Sequence, residues 1–290
     1  MKEKQISTEL LKFREQIDEI DRKILNLLGN RIKIITQVGE HKKSQQENFL
    51  IRSNREADMI KNLLKISDHS IPKSAIVNIW RKIITSSNIL EQEIKIALYN
   101  PDQLPDYYYL VREYYGDFVP IINHNSVTNI ISEIEKEIVQ IGIFPLPKNG
   151  DNKNYDHQNW WINFPKNSNI RVFAKIPFIE YQNNDLAQVN NLVAVAAKTA
   201  EKSSSDKSLL LIETDRKIDR NQIQIIIEKT GLDGVILNIS NSAQIPGINF
   251  YLLEIDGFFE EQSAEILALS QNKIRPYIKI IGHYPTPIIC

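Results

Sequence analysis

Three cationic residues, Arg14, Arg31 and Lys42, have spacings that suit the binding of a small anion. Arg31 and Lys42 are eleven residues apart, so on a helix they share a face, with Cα atoms roughly 16 Å apart along the axis. Two long side chains that lean toward each other can hold one anion. Arg14 lies roughly 25 Å before Arg31 and about 100° around a straight helix, too far to reach the same ligand. It can reach the equivalent ligand on an antiparallel partner helix, which predicts a homodimer with two sites.

One long helix must position these cations. Apolar residues recur at helical intervals from Leu10 to Val38, and no proline interrupts them. Ser7 or Thr8 can cap the start of the helix. A helix from Ser7 to Lys43 is roughly 55 Å long, more than the width of a compact domain, so much of its apolar stripe needs another chain. The spacing alone also fits a coiled coil whose charged face is simply solvated.

Two further helices complete an all-α N-terminal unit. The segment Ser53–Glu56 has the form of a capping box, which opens a short second helix. A third helix is predicted to begin near Pro72 and to run to about Gln92. Ser87 and Glu91 are four residues apart near the end of this helix, so they share one face.

Composition limits the class of protein. A chain of 290 residues suggests two or three domains, and a net charge of −1 gives no argument for a nucleic-acid or membrane-surface partner. The single cysteine, Cys290, excludes an intramolecular disulfide and a cysteine-built metal site. The sequence has neither an apolar run long enough for a membrane span nor a signal-peptide core, so we predict a cytoplasmic protein.

The N-terminal motifs resemble those of a known enzyme family. These motifs are Phe-Arg14-x-x-Ile-Asp-x-Ile-Asp-x-x-Ile-Leu-x-Leu-Leu-x-x-Arg31, then Val38-Gly39-x-x-Lys42 and Arg55-Glu56. Over residues 7–92 they resemble the all-helical, type II chorismate mutases. The resemblance implies an intertwined helical dimer that rearranges chorismate to prephenate. That pericyclic step has no obligatory nucleophile, metal or cofactor, so it depends on positioning and on fixed charges.

The resemblance also implies a role for each polar residue. Arg31, with Arg14 of the partner subunit, binds the two substrate carboxylates through guanidinium forks. Lys42 contacts a carboxylate and the ether oxygen, and Ser87 hydrogen-bonds a carboxylate. Glu91 faces the ether oxygen. Lys42, Glu91 and Arg31 are therefore the predicted catalytic residues.

Two residues of the second helix complete the predicted substrate contacts. By the resemblance, Glu56 accepts a hydrogen bond from the substrate hydroxyl, and Arg55 is a supporting cation. Read from the sequence alone, Glu56 can equally be the capping partner of Ser53, and Arg55 can be a surface residue.

Glu91 gives a prediction about pH. An ionised Glu only accepts hydrogen bonds, so Glu91 must be protonated to donate one to the ether oxygen. We therefore expect turnover to increase as pH falls below neutral. A Glu91→Gln variant should depend less on pH.

Residues 93–206 alternate between strand and helix patterns, which predicts a small α/β layer with a parallel sheet. The segment is similar to the first lobe of prephenate dehydratase, and Gly142–Leu146 loosely matches a strand that lines the site in that family. The Thr-Arg-Phe triplet that the resemblance would require is absent from the sequence. Asn159–Phe164 is predicted to occupy a related position without its hydroxyl or guanidinium. We therefore expect no dehydratase activity.

The polar stretches Asn149–His157 and Ala200–Lys207 are predicted to be loops.

Residues 207–290 show a β-α-β-β-α-β rhythm, and the segments Phe250–Gly257 and Ile278–Pro285 resemble the end of an ACT-type domain with a ferredoxin-like fold. That resemblance implies phenylalanine as a possible effector, while retention for assembly alone is the other interpretation. The predicted fold class is thus a multidomain chain, with an all-α mutase domain at 1–92, a degenerate α/β region at 93–206 and an ACT-like α+β domain at 207–290.

Two other functions stay open. One is a bifunctional chorismate mutase/prephenate dehydratase, and the other is a non-catalytic, amino-acid-sensing assembly module. Nucleic-acid binding is poorly supported, because acidic residues such as Asp18 and Glu40 intersperse the cations of the first helix.

Overall fold

The computed structural model describes residues 2–45, 51–68, 70–147, 156–165, 168–180, 191–198, 201–215, 218–241, 247–272, 274 and 276–290. Three helices open the chain: α1 (Lys2–Ser44), α2 (Ser53–Ile66) and α3 (Lys73–Glu91). The three predicted N-terminal helices are therefore confirmed. None of the helices in the described ranges is both long and apolar enough to cross a membrane.

The predicted starts of α1 and α2 were wrong in detail. Ser7 and Thr8 lie inside α1, so neither is its N-cap. Arg52 occupies the N-cap position of α2, and no side chain caps that helix. Ser53 is the first helical residue, and its hydroxyl donates to the carbonyl oxygen of Phe173 at 2.6 Å. In a capping box this hydroxyl would instead have accepted a hydrogen bond from the backbone nitrogen of Glu56.

Contacts divide the chain into two compact units. One consists of Met1–Leu50 with Ser87–Glu93, and the other of Ile51–Ser86 with Ile94–Cys290. The predicted domain boundaries, at 92 and 206, stay a prediction.

A mixed α/β layer forms the first part of the second unit. Its strands and helices are β1 (Ile96–Tyr99), α4 (Pro105–Tyr115), β2 (Ile121–His124), α5 (Val127–Glu135), β3 (Ile141–Leu146), a 3₁₀ helix (Asp156–Asn163), β4 (Ile170–Ile176), β5 (Ile179–Glu180) and β6 (Asn191–Ala197). β1 pairs in parallel with β3, as the sequence predicted, and also with β2, a strand that was not predicted. β6 is antiparallel to β3 and β4, which the alternation of patterns did not reveal.

The C-terminal part contains the predicted β-α-β-β-α-β series. Its elements are β7 (Asp206–Asp215), α6 (Arg220–Lys229), β8 (Gly234–Asn241), β9 (Ile248–Asp256), α7 (Ala264–Ser270) and β10 (Tyr277–Pro285), followed by β11 (Ile288–Ile289). The strand order β10-β7-β9-β8, with every neighbouring pair antiparallel, is that of a ferredoxin-like fold.

One nine-stranded sheet joins the two parts, in the order β2-β1-β3-β6-β4-β10-β7-β9-β8. The joint is the parallel pairing of β10 with β4, at Gly282 and Val172. A Cβ on Gly282 would lie 2.3 Å from the backbone nitrogen and oxygen of Val172, and Gly282 has φ +153°. Only glycine therefore permits this close approach.

Aromatic side chains fill the core beside β3. Trp160 stacks on Phe144 with ring centroids 4.6 Å apart, and its Nε1 donates to the carbonyl oxygen of Pro145 at 2.6 Å. Trp161 and Phe164 are also buried. Of the two predicted loops, 201–205 is irregular before β7 begins at Asp206, whereas 149–155 lies outside the described residues.

Candidate functional site

Four of the predicted site residues meet in two pairs between α1 and the end of α3. The Arg31 guanidinium donates to the Ser87 hydroxyl at 2.6 Å. The Lys42 ammonium lies 3.1 Å from a carboxylate oxygen of Glu91, and these two side chains are only 13% and 9% exposed. The sequence thus predicted residues on two helices that the structure brings into direct contact.

Gly39 explains why α1 and α3 approach closely at this point. It is buried, and a Cβ in its place would lie 3.2 Å from the Cγ of Glu91. Lys42 follows Gly39 by three residues, so it lies one helical turn further along the same face. The small residue therefore brings the Glu91 carboxylate within reach of the ammonium group.

The pairs give this site a definite charge. Arg31 and Lys42 are cationic, so the cluster carries a net charge of +1 while Glu91 is ionised and +2 when Glu91 is protonated. The hydroxyl of Ser87 adds a neutral hydrogen-bonding group. Such a cluster can bind an anion through charge-assisted hydrogen bonds. It contains no strong nucleophile, so positioning and electrostatic stabilisation are the chemistry that it can perform.

Arg14 lies on an exposed part of α1. The neighbouring apolar side chains Phe13, Ile17 and Ile20 are 52%, 57% and 54% exposed. Arg14 therefore stays apart from the pairs made by Arg31 and Lys42.

Arg55 and Glu56 belong to the second unit. Arg55 is exposed. Glu56 is buried and accepts a hydrogen bond at 2.8 Å from Arg81, whose guanidinium carbon lies 3.9 Å from the ring centre of Tyr114. Both side chains of the ion pair are about nine-tenths buried. Glu56 is thus engaged by a cation that the sequence did not single out.

The ionisation of Arg81, Tyr114 and Tyr115 follows from their burial and from the charges around them. Burial alone lowers the pKa of Arg81, but Tyr114 and Glu56 outweigh that effect and raise it, so the guanidinium stays charged. Burial raises the pKa of Tyr114 as well, and it raises the pKa of Tyr115 still further. Arg81 follows Trp80 within the apolar pattern of α3, and that position was the available signal that its charge is buried.

Comparisons with known proteins agree with the pairs on α1 and α3. Residues 13–92 match the family model "Chorismate mutase type II". A curated relative, the bifunctional chorismate mutase/prephenate dehydratase of Aquifex aeolicus, is 28% identical over 143 residues, which are 48% of this chain and 39% of the relative. The chain thus matches about two fifths of the length of that relative.

Two solved structures are each similar to about two thirds of this chain. Prephenate dehydratase from Streptococcus mutans is 17% identical and has a TM-score of 0.43, over 67% of this chain and 99% of that chain. Prephenate dehydratase from Arthrobacter aurescens, solved in complex with L-Phe, is 10% identical and has a TM-score of 0.45, over 66% of this chain and 90% of that chain. At the N-terminus, the three helices, the α1–α3 pairs and the family match agree: residues 13–92 form a chorismate mutase type II domain.

Proposed function

We propose that this chain catalyses the rearrangement of chorismate to prephenate, a step in the biosynthesis of aromatic amino acids. The observation that carries the proposal is the pairing of Arg31 with Ser87 and of Lys42 with Glu91, inside the matched family segment. In this intramolecular reaction a carbon–oxygen bond of the ether breaks and a carbon–carbon bond forms, with no group lost or gained. The enzyme must hold a compact conformer of a flexible dianion and stabilise the charge that develops on the ether oxygen.

The proposed roles of the residues are those that the family resemblance implies, and their charges suit them. Arg31 binds one carboxylate, and Lys42 binds a carboxylate and the ether oxygen. Ser87 hydrogen-bonds a carboxylate. Glu91, once protonated, donates to the ether oxygen. The parts of Arg55 and Glu56, a supporting cation and the acceptor for the substrate hydroxyl, rest on the family resemblance alone.

The working form in this proposal is a homodimer. The half-exposed apolar side chains around Arg14 support it, because a second copy of α1 would bury them. Arg14 of each subunit then binds a substrate carboxylate in the other subunit's site. This arrangement supplies the third cation that the α1–α3 cluster lacks.

A mixed dimer tests both the activity and the exchange of Arg14. Arg14→Ala and Lys42→Ala chains, carrying two different tags, are co-expressed and the doubly tagged dimer is isolated. In that dimer one site has lost both cations, while the other keeps its own Lys42 and receives Arg14 from its partner. We therefore expect nearly inactive parent dimers, and a mixed dimer with about half of the wild-type prephenate production.

The control is a mixed dimer of Arg31→Ala and Lys42→Ala chains. Both of those residues act within their own subunit, so every site is damaged and no recovery is expected. An Arg14→Ala parent with full activity, or equal recovery in both mixed dimers, would contradict the exchange of Arg14. A folded wild-type chain that consumes no chorismate would overturn the proposed activity and favour an assembly module.

For the remainder of the chain we propose a regulatory or structural role, in a cytoplasmic enzyme, with phenylalanine as the candidate effector. The ferredoxin-like strand order supports such a domain. The segment Asn159–Phe164 was predicted to lie in the position of the missing Thr-Arg-Phe triplet. Three of its side chains, Trp160, Trp161 and Phe164, are buried in the core and therefore serve packing.

A second function, prephenate dehydration, is favoured by the bifunctional name of the Aquifex aeolicus relative. Assaying prephenate and phenylpyruvate together separates the two, since only the second function yields phenylpyruvate.

A further inference from the structure

We infer that the second unit contains a binding site for a small apolar carboxylate, in a cavity formed by α3, α4 and the β4–β5 connection. The cavity has a volume of about 760 Å³. Sites for small organic ligands usually measure about 300–1,000 Å³, so this cavity is large enough for a one-ring molecule with a short side chain.

The wall of the cavity is mostly hydrocarbon. α3 supplies Val77 and Ile79, α4 supplies Leu110, and the β4–β5 connection supplies the segment 176–179. Val77 and Phe178 are buried, whereas Ile79 is 48% exposed. An apolar body can therefore enter past the exposed side of α3 and contact buried side chains further in.

Arg81 supplies the polar contact in this wall. Its residue exposure is 7%, one of its terminal nitrogens donates to Glu56, and its Nε has no hydrogen-bond partner among the described residues. A guanidinium has five N–H donors, and buried donors are normally satisfied. The Nε is sealed from solvent, so a ligand in the cavity has to bind the terminal nitrogens, of which Glu56 engages one. A carboxylate matches the guanidinium best.

Two other charged groups at the cavity already have partners. Lys82 donates to the backbone oxygen of Glu113, and the Glu180 carboxylate is paired with Lys175 at 2.6 Å. Burial raises the pKa of the Tyr114 phenol, so this ring stays neutral and does not repel an anion. Arg81 is thus the buried cation of the wall, and a monocarboxylate suits it better than a dianion.

The test uses 3-phenylpropionate as the probe and 3-phenylpropanol as its uncharged counterpart, with the full-length chain and isothermal titration calorimetry. We expect saturable binding of one 3-phenylpropionate per chain, and binding of the alcohol at least ten times weaker. Arg81→Lys keeps a cation beside Glu56 but loses the planar fork, so it should weaken binding of the carboxylate and leave binding of the alcohol unchanged.

A second pair of variants tests the location without touching Arg81. Leu110→Trp fills the cavity from α4 and should abolish binding, while Tyr109→Trp places the same side chain at a position that is 69% exposed and should have no effect. Equal binding of acid and alcohol would overturn carboxylate recognition. Absence of binding to the folded wild-type chain, or unchanged binding to Leu110→Trp, would overturn the site. None of these readouts depends on chorismate turnover.

Discussion

α1 and α2 belong to the same mutase domain but bury their surfaces in different ways. The apolar side chains of α1 are about half exposed along much of its length, from Leu10 to Ile34. α2 buries Ala57 and Ile60 within its own unit. The proposed dimer accounts for this difference, because a second copy of α1 would bury these side chains, whereas α2 already packs within its own unit.

Polar contacts fix α2 to the segment 201–205. Arg52, at the N-cap, forms an ion pair with Glu201. Asp58 accepts hydrogen bonds from the backbone nitrogen and the hydroxyl of Ser204, the first at 3.0 Å. The segment that leads into β7 thus acts as a docking surface for a mutase helix.

The largest effect is expected from a charge in the stripe of α1. Ile20→Glu places two carboxylates in the proposed dimer interface by symmetry, and burying unpaired charges is costly. We expect a monomer at micromolar concentration and loss of more than about 90% of mutase activity, because Arg14 then leaves the other subunit's site. Sedimentation velocity and a chorismate assay measure both.

Asn26→Glu is the matched control, since Asn26 is exposed and lies roughly 150° around the helix from the stripe. It adds the same charge and should leave both readouts unchanged. A fully active Ile20→Glu dimer would show that α1 buries its stripe in some other way.

A smaller effect is expected from Glu91→Gln, which removes the ion pair of Lys42 with the end of α3. Gln donates a hydrogen bond at any pH, so the variant should show a flatter pH profile of kcat than the wild type. The wild type should gain turnover as pH falls below neutral, more than the variant does. A flat wild-type profile would remove Glu91 as the donor.

How well the sequence predicted the site depends on whether a residue belongs to a recognisable pattern. Helical periodicity placed Arg31 and Lys42 on one face and Ser87 and Glu91 on another, and the family resemblance assigned both pairs to one site. Arg81 was missed, since its partner Tyr114 lies on another element and only the tertiary fold brings them together.

The fold, like the site, was predictable only where local sequence patterns mark its elements. The β-α-β-β-α-β rhythm of the C-terminal part follows from local patterns, and all six elements were found. The joint between β4 and β10 depends on a close approach at Gly282, which no local pattern indicates. The capping box at Ser53 was wrong because α2 begins one residue earlier than the motif requires, with Arg52 at the N-cap, and the Ser53 hydroxyl donates to a carbonyl 120 residues away.

The docking of α2 is expected to contribute moderately to stability. Asp58→Ala removes the acceptor for the backbone nitrogen and hydroxyl of Ser204. Both groups then face solvent, so we expect the free energy of unfolding to fall by about 1 kcal/mol. Urea denaturation measures the change. Lys65→Ala, an exposed change on the same helix, should alter it by less than about 0.5 kcal/mol. Equal effects from both would mean that the contact between Asp58 and Ser204 contributes nothing measurable to this docking.

The smallest effect concerns His283 on β10, which lines a small pocket together with Ser53 at the start of α2. Burial lowers the pKa of this imidazole, although the carbonyl of Phe259 and the charge of Asp206 act in the opposite direction and Arg171 reinforces the lowering. As pH falls through about 6.5, the unfolded chain takes up a proton before the folded chain does, so stability decreases below that pH. His283→Gln should remove this loss while it keeps a donor to the carbonyl of Phe259. We expect the difference in unfolding free energy between pH 7.5 and pH 5.5 to shrink by up to about 1 kcal/mol in the variant. His41→Gln, an exposed change on α1, is the control and should leave the difference in unfolding free energy between the two pH values unchanged. If His283→Gln also leaves it unchanged, the carboxylates of the second unit account for its acid sensitivity instead.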